Sequence, residues 1–421
     1  MIAVLRQRNF ALLWFAGLIS IAGDWTLNVA LPYYVYQMTG SALATGLMFM
    51  ARTLPGVLFG GFAGVLVDRW DRKWTMFGCN LFATVLVLLL LIVKSIAWLW
   101  IVYLVAFVES SVALFFALAE RALLPRLVME KQLATANSLG ALNLSLGMLL
   151  GPALGGALMG LSNLSTVVLF DSISYLVAGL MIFLITVSPV AAPPKSKGLE
   201  VIRGWMGIWK EWLAGLKLVR QSRRVSTIFV AAAIAMLGEG IIQALLVPFV
   251  KVLKGGAMEF GWLLTLRGLG GMLGGLIFGH IGAVVKPQAV FPWTLLGMGV
   301  LLLVMVNCPS FILSLVLLCL AGVLAVGASV MSTTIFQNDV SNAYLGRIFG
   351  VLGMTAALMT LVGQGSASAL AGHWGVIALL NVGGGLYVLS GMIPLGMLGN
   401  LSKLRSNKPE NKILGRWRRS P

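Results

Sequence analysis

The chain has 421 residues, of which 59% are hydrophobic and 10% charged, and its mean hydropathy is +0.97. A soluble globular domain needs more polar surface than that, so this is a polytopic α-helical membrane protein. The formal net charge of +17 raises nucleic acid as a partner, and the placement of the charges excludes it.

The chain opens on "MIAVLRQRNF", which lacks the charged, apolar and small-residue segments of a signal peptide, so no removed leader is expected. Apolar runs long enough to cross a bilayer then recur to about Asn400, each near 20 residues or more. They predict twelve spans near 9–36, 42–66, 74–94, 97–122, 134–159, 166–188, 226–252, 258–284, 288–307, 310–337, 346–371 and 376–400. With both termini cytoplasmic, three of the 30 Lys and Arg lie outside (Lys94, Lys251, Lys254) and two lie within spans (Arg52, Arg267). The remaining twenty-five fall in cytoplasmic segments or the span ends that meet them. That asymmetry is the positive-inside rule. The basic excess is a topology signal.

The expected fold is therefore an all-α integral membrane protein of twelve transmembrane helices in two pseudo-symmetric six-helix halves. Residues 1–188 form the first half and 226–400 the second. Between them, 189–225 starts within "SPVAAPPKSKG", which opens at Ser188, and continues as a basic stretch with Trp205, Trp209, Trp212 and Leu216 at helical spacing. It reads as an amphipathic helix at the cytoplasmic interface. Residues 401–421 form a basic tail suited to anionic lipid. A shift of 215 positions superposes Asp24 on Glu239, Asn28 on Gln243 and Arg52 on Arg267, along with several glycines. Three polar matches inside apolar runs mark a true internal repeat, as in transporters built of related halves.

The first span carries "LISIAGDWTLNVALP" and the seventh "AIAMLGEGIIQALLVP". Asp24 and Asn28 share a helix face with Ser20 and Gly17, and Glu239 shares one with Gln243. Lipid cannot solvate a carboxylate, so both stripes should face the bundle interior or a wet cavity. Glu109 in "FVESSVA" and Asp171 in "LFDSISY" add two more acids against the cations Arg52 and Arg267. Two readings stand: Asp24–Arg52 and Glu239–Arg267 are packing ion pairs, or at least one acid binds and releases protons as its surroundings alternate. Asp24 and Glu239 lead as couplers and Glu109 follows. Asp171, beside Ser172 and Ser174, reads as structural.

Between spans two and three, "GVLVDRWDRKW" sets Asp68 at a tight cytoplasmic turn crowded by Arg69, Arg72 and Lys73, after Gly56, Gly60 and Gly64 at spacings of four. Ala283 stands where the second half would repeat Asp68, so this gate is asymmetric. In the fifth span, "GMLLGPALGG" places Gly147, Gly151 and Gly155 four apart, with Pro152 and Gly156. Such a face allows close helix approach, and a mid-helix proline needs tight packing or a bend.

These residues resemble the major facilitator superfamily. The loop matches its GxxxDRxxRK signature, with Asp71 where a glycine is usual. The fifth-span string is similar to the motif of its proton antiporters, whose glycine face packs on span eleven. "GDW", "ARTLPG", "LATANSL", "FDSISY", "EWLAGLKLVRQSRR" and "LGRIFGV", with Arg347, resemble the macrolide-efflux and enterobactin-exporter branch over essentially the whole chain. The resemblance implies a multi-pass protein of a bacterial-type cytoplasmic (inner) membrane, exporting organic amphiphiles against protons. It also implies that Asp68 and Arg72 latch an outward-open state.

No GxxxxGK[ST] phosphate loop occurs, so direct ATP drive is unsupported. His280 and His373 lie near opposite membrane faces, and Cys79, Cys308 and Cys319 form no CxxC pair. Neither an enzyme site, a metal site nor a disulfide framework can be assembled from them. The expectation is a proton-driven exporter of an amphipathic small molecule, in the bilayer as a monomer, without cofactor. An exporter of siderophores or other anionic metabolites is the second reading, and a non-transporting sensor the third.

Overall fold

The computed structural model describes residues 2–60, 63–186, 205–281 and 285–405. Twelve of its helices are long and apolar enough to cross a membrane. In chain order, spans 1 to 6 are Arg8–Thr39, Ala42–Phe59, Arg72–Leu88, Leu99–Leu127, Leu133–Leu161 and Leu164–Phe183. Spans 7 to 12 are Arg223–Val252, Ala257–Ile281, Pro287–Asn307, Phe311–Asp339, Asn342–Trp374 and Val376–Arg405. The face where span 1 begins and span 12 ends is called the near face, and the opposite one the far face.

Local chemistry places the ends of these helices. Gly40 closes span 1 with a positive φ of 61° and its N–H on the Tyr36 carbonyl, a left-handed cap that glycine adopts without cost. The next residue, Ser41, accepts the Ala44 N–H and starts span 2. Asn163 caps span 6 in the same way through Thr166. Asp71 accepts the Trp74 N–H at 3.0 Å and starts span 3. The acid that replaces a usual glycine is thus a helix cap.

The expected second span, 42–66, falls on two described helical segments, Ala42–Phe59 and the start of Ala63–Arg69, with 61–62 outside the described residues. Asp68 lies in the last turn of that helix instead of starting the turn, which falls at Trp70 and Asp71. Gly56 faces open space, and Gly60 keeps a helical backbone with its N–H on the Gly56 carbonyl at 3.2 Å. The Asp68 side chain and Gly64 lie outside what is described, as do residues 189–204 of the linker and 406–421 of the tail.

Packing repeats across the two halves. In the first half span 1 packs on spans 5 and 6, span 3 on spans 4 and 6, and span 2 on span 4. Six spans later each of these contacts recurs: 7 on 11 and 12, 9 on 10 and 12, and 8 on 10. The halves meet through spans 5 and 8 and through spans 2 and 11, which is itself a symmetric pair of contacts. Between spans 1 and 5, and between 7 and 11, glycine lets backbones touch. A Cβ on Gly155 would lie 2.6 Å from the Thr26 carbonyl oxygen.

The span-5 motif therefore packs differently from the family expectation. Gly147, Gly151 and Gly155 face Ile21, Trp25 and Thr26 of span 1, and Gly156 faces Ala257 and Gly261 of span 8. None of them meets span 11. The reason is geometric: span 11 lies across from span 2, while spans 1 and 8 flank span 5.

Contacts between the halves crowd the far side. Gly46 abuts Ser368, Gly365 lies near Met50, and Gly156 near Met258. Lys251 of span 7 donates to the Tyr33 hydroxyl of span 1 at 2.8 Å. Toward the near face the same spans separate. Gly56 of span 2, Gly140 of span 5, Gly275 and Gly279 of span 8, and Gly346, Gly350 and Gly353 of span 11 each have open space where a Cβ would point. The molecule is closed on its far side and parted on its near side.

A test follows for the span 5–8 contact. A Cβ on Gly156 would lie 2.8 Å from the Ala257 carbonyl oxygen and 3.0 Å from the Gly261 Cα, where backbone must move. Gly156→Leu is expected to cost about 1–3 kcal/mol or more, the range for overpacking. Gly275→Leu, pointing into open space, should cost almost nothing. Thermal melting of both variants in detergent checks this, and equal stability would refute the packing account.

The linker contributes a helix that packs on the bundle. Its helix Trp205–Arg220 docks on span 11: the Trp212 indole N–H donates to Thr355 Oγ1 at 3.1 Å, and Gly215 abuts Val351. Arg347, entering span 11, is exposed with its guanidinium over the Tyr344 ring at 6.0 Å.

Candidate functional site: two polar clusters and a cavity

Each half buries one ionic cluster, and the two are built differently. In the second half Arg267 reaches Glu239 Oε1 at 2.6 Å. Gln243 donates to the same oxygen at 3.1 Å, one helical turn along span 7. The Tyr387 hydroxyl of span 12 donates to Glu239 Oε2 at 2.7 Å. Three donors from three helices thus converge on one carboxylate, and both its oxygens are satisfied. This is how a buried charge is tolerated.

The first half does not repeat that arrangement. Arg52 pairs with Glu109 Oε1 of span 4, at 3.5 Å, instead of with Asp24. The predicted Asp24–Arg52 ion pair is therefore absent. The cause is two acids the repeat does not contain: the shift that matches Asp24 to Glu239 sets Glu109 opposite Leu324 and Asp171 opposite Leu386. With those extra acids present, the one guanidinium goes to span 4. Asp24, Glu109 and Asp171 all lie within electrostatic reach of one another and of Tyr175, with Arg52 as the cation among them.

Hydrogen bonding sets the two clusters apart. Among the described residues, Asp24 Oδ1, Glu109 Oε2 and Asp171 Oδ2 are each buried without a hydrogen-bond partner, as is one Arg52 nitrogen. A buried oxygen left so carries a desolvation cost of roughly 1–3 kcal/mol. Asp171 is fully buried on span 6, accepts from Ser174 Oγ at 3.4 Å, and packs against Gly23 of span 1. The Ser172 hydroxyl ties span 6 to the Thr84 carbonyl of span 3 at 3.2 Å.

Asp24 also lines a cavity of about 490 Å³, within the range that holds drug-sized ligands. Every lining residue belongs to the first half. Glu109, Asp24 and Tyr175 close its inner end, and Trp14, Ile21 and Phe116 form apolar walls. Phe10, Leu124 and Ala136 bring it toward the near ends of spans 1, 4 and 5. Along span 1 alone, from Phe10 to Asp24, it covers about 21 Å of helix rise. The cavity leads from the parted near side to the middle of the membrane.

Of the predicted cavity residues, Asp24 and Glu109 line this space, with Gly17 and Ser20 of the Asp24 stripe. Asn28, Arg52, Glu239, Gln243 and Arg267 do not. Glu120, Tyr175, Tyr387 and Gln364 escaped the sequence reading. A signal for Glu120 was present: it follows Glu109 by eleven residues, three helical turns, and so lies on the same face. Tyr175 likewise follows Asp171 by four. At the near face, Arg69 is exposed, and Lys73 lies over the rings of Trp74 and Phe183 at 5.3 and 5.5 Å. An unpredicted near-face pair, Arg224–Asp339 at 3.1 Å, joins spans 7 and 10.

A sequence profile described as transmembrane secretion effector matches residues 1–417. Macrolide efflux protein A of Streptococcus pyogenes is 25% identical over 374 residues, covering 87% of this chain and 90% of its own length. Enterobactin exporter EntS of Escherichia coli O1:K1 / APEC is 26% identical over 414 residues, covering 95% and 94%. Among solved structures, a bacterial homologue of the iron transporter ferroportin in an inward-facing state superposes with a TM-score of 0.71 at 14% identity, covering 92% of this chain and 98% of that one. Twelve spans, paired halves and a profile match across almost the whole chain make this protein a member of the transmembrane secretion effector family, a branch of the major facilitator transporters.

Proposed function

We propose that this protein is a secondary active exporter of amphipathic organic compounds of the drug or macrolide type, driven by proton antiport through alternating access. The near face is cytoplasmic in this reading, since the Lys and Arg excess collects there, and the conformation described is inward-facing. The observation that carries the proposal is Asp24: an acid at the inner end of a cavity that leads from the near side, hydrogen-bonded to Tyr175 but with its buried Oδ1 unpartnered among the described residues.

Charge balance supplies the coupling. Asp24, Glu109 and Asp171 share one guanidinium. In a medium of low dielectric such an excess of negative charge calls for protons or a cationic solute. A proton on Asp24 and a solute in the cavity compete for the same charge, which makes their movements opposite. The acidic inner end and aromatic walls suit neutral or cationic amphiphiles. An anionic siderophore, the second reading, takes its support from the enterobactin exporter's similarity over 95% of the chain. It would require Arg52 or Arg267 to leave its acid.

Energised inside-out vesicles carrying the protein, with luminal pH recorded, test this. A macrolide is expected to trigger loss of luminal protons and a siderophore to leave them unchanged. The reverse pattern would select the second reading. Transport of either solute without proton movement would overturn antiport.

A further inference from the structure

A hydrogen-bonded path leads from the Glu239–Arg267 cluster across to the first half, where it ends at Thr53, the chain neighbour of Arg52. Its centre is Gln364 on span 11, a fully buried side chain. Gln364 Nε2 donates to Gln243 Oε1 of span 7 at 3.1 Å and to Thr53 Oγ1 of span 2 at 3.3 Å. On one side, Gln243 passes a further hydrogen bond to Glu239 and so to the Arg267 pair. On the other, Thr53 is the chain neighbour of Arg52, which holds Glu109. The Thr53 hydroxyl donates to its own helix at Phe49, so its oxygen serves Gln364 as an acceptor.

The position of this bridge gives it mechanical meaning. Beneath it spans 7 and 11 touch through glycine: a Cβ on Gly240 would lie 3.0 Å from the Gln364 backbone nitrogen, and one on Gly363 would lie 3.1 Å from the Gly240 Cα. Span 11 is thereby fixed to span 7 within the second half. Spans 2 and 11 close on each other along Gly46–Ser368, Met50–Gly365 and Thr53–Gln364. One turn beyond Thr53, Gly56 faces open space. Thr53–Gln364 is the innermost contact in that series, at the boundary between the closed far side and the parted near side.

We propose that Gln364 is the positioning residue that bolts the halves together on the far side in the near-open state. By sharing Gln243 it ties that closure to the Glu239–Arg267 cluster. When the far side opens, spans 2 and 11 must separate, and the Thr53 bond is given up first at the boundary. This inference rests on the alternating-access reading, but not on which solute or ion is moved.

The test is a distance across the far face. Lys94, between spans 3 and 4, and Cys308, between spans 9 and 10, are both exposed there, one in each half. Spin labels on Lys94→Cys and the native Cys308, in a Cys79→Ser/Cys319→Ser background, report far-side opening by pulsed electron resonance. Gln364→Met keeps side-chain volume and removes both hydrogen bonds, and Thr53→Val removes one of them with its shape kept. Each is expected to raise the ratio of long to short distances about tenfold, equivalent to about 1.4 kcal/mol. Their combination should add little to Gln364→Met alone, because the shared bond is lost once.

Unchanged distances in folded, monodisperse Gln364→Met protein would overturn the proposal, as would strict additivity of the two changes. A merely packing role predicts lower melting temperature without a shift in distance. The distances are recorded without solute. A wild type that moves no protons would sink the antiport reading and leave this result standing on its own.

Discussion

Asp24→Asn is expected to reduce solute-triggered proton movement to background, a loss of at least about 100-fold, while the protein stays folded in the membrane. Asparagine keeps the size of the side chain and its hydrogen-bonding capacity but can neither carry a proton nor hold a charge. Among the described residues Asp24 makes no ion pair, so its neutralisation strands no buried cation; Arg52 keeps Glu109. Stability should therefore change little. The loss would be one of driving force. One charge crossing about 100 mV supplies roughly 2.3 kcal/mol, enough to sustain a gradient of about fortyfold at 1.4 kcal/mol per tenfold. Vesicles carrying the variant should still equilibrate solute but not concentrate it. Proton-coupled accumulation at the wild-type rate would move the coupling role to Glu109, the other acid at the inner end of the cavity.

Glu239 should behave in the opposite way. Glu239→Gln leaves the Arg267 guanidinium in the membrane interior without its carboxylate, and Arg267→Met strands the acid. Breaking a buried ion pair from one side typically costs about 3–5 kcal/mol, whereas replacing both partners is often close to neutral. Each single variant is expected to lose about 3 kcal/mol and melt several degrees lower, and Glu239→Gln/Arg267→Met should regain most of that. Arg267 is about a quarter exposed, so the lower end of the range applies. Melting curves of the three variants in one detergent give the comparison. Single variants as stable as wild type but inactive in transport would instead make Glu239 a second coupling site.

These two expectations come from one difference that the repeat conceals. Aligned by 215 positions, Asp24 and Glu239 are equivalents, and so are Arg52 and Arg267. In space the equivalence holds for helices but not for charges. Glu239 receives Arg267, Tyr387 and Gln243, while Asp24 has lost its arginine to Glu109. The matched positions make a closed ion pair in one half and, in the other, an acid held by Tyr175 without an arginine of its own.

What the sequence determined by itself is the architecture. Twelve apolar runs, the crowding of Lys and Arg at alternate loops, and the repeat of three polar positions follow from single-residue solvation in a bilayer, which acts on each span independently of its neighbours. That physics also announced the acids at 24, 109, 171 and 239 as exceptional. The tertiary structure decided which cation each acid receives, that span 5 lays its glycines on spans 1 and 8, that Asp71 caps a helix, and that Gln364 joins the halves. Those are pairwise choices made over distances of a few ångströms between segments far apart in the chain. Hydropathy and periodicity report how a helix meets lipid, but a hydrogen bond depends on the rotation and depth of two helices at once, and only their packing sets both.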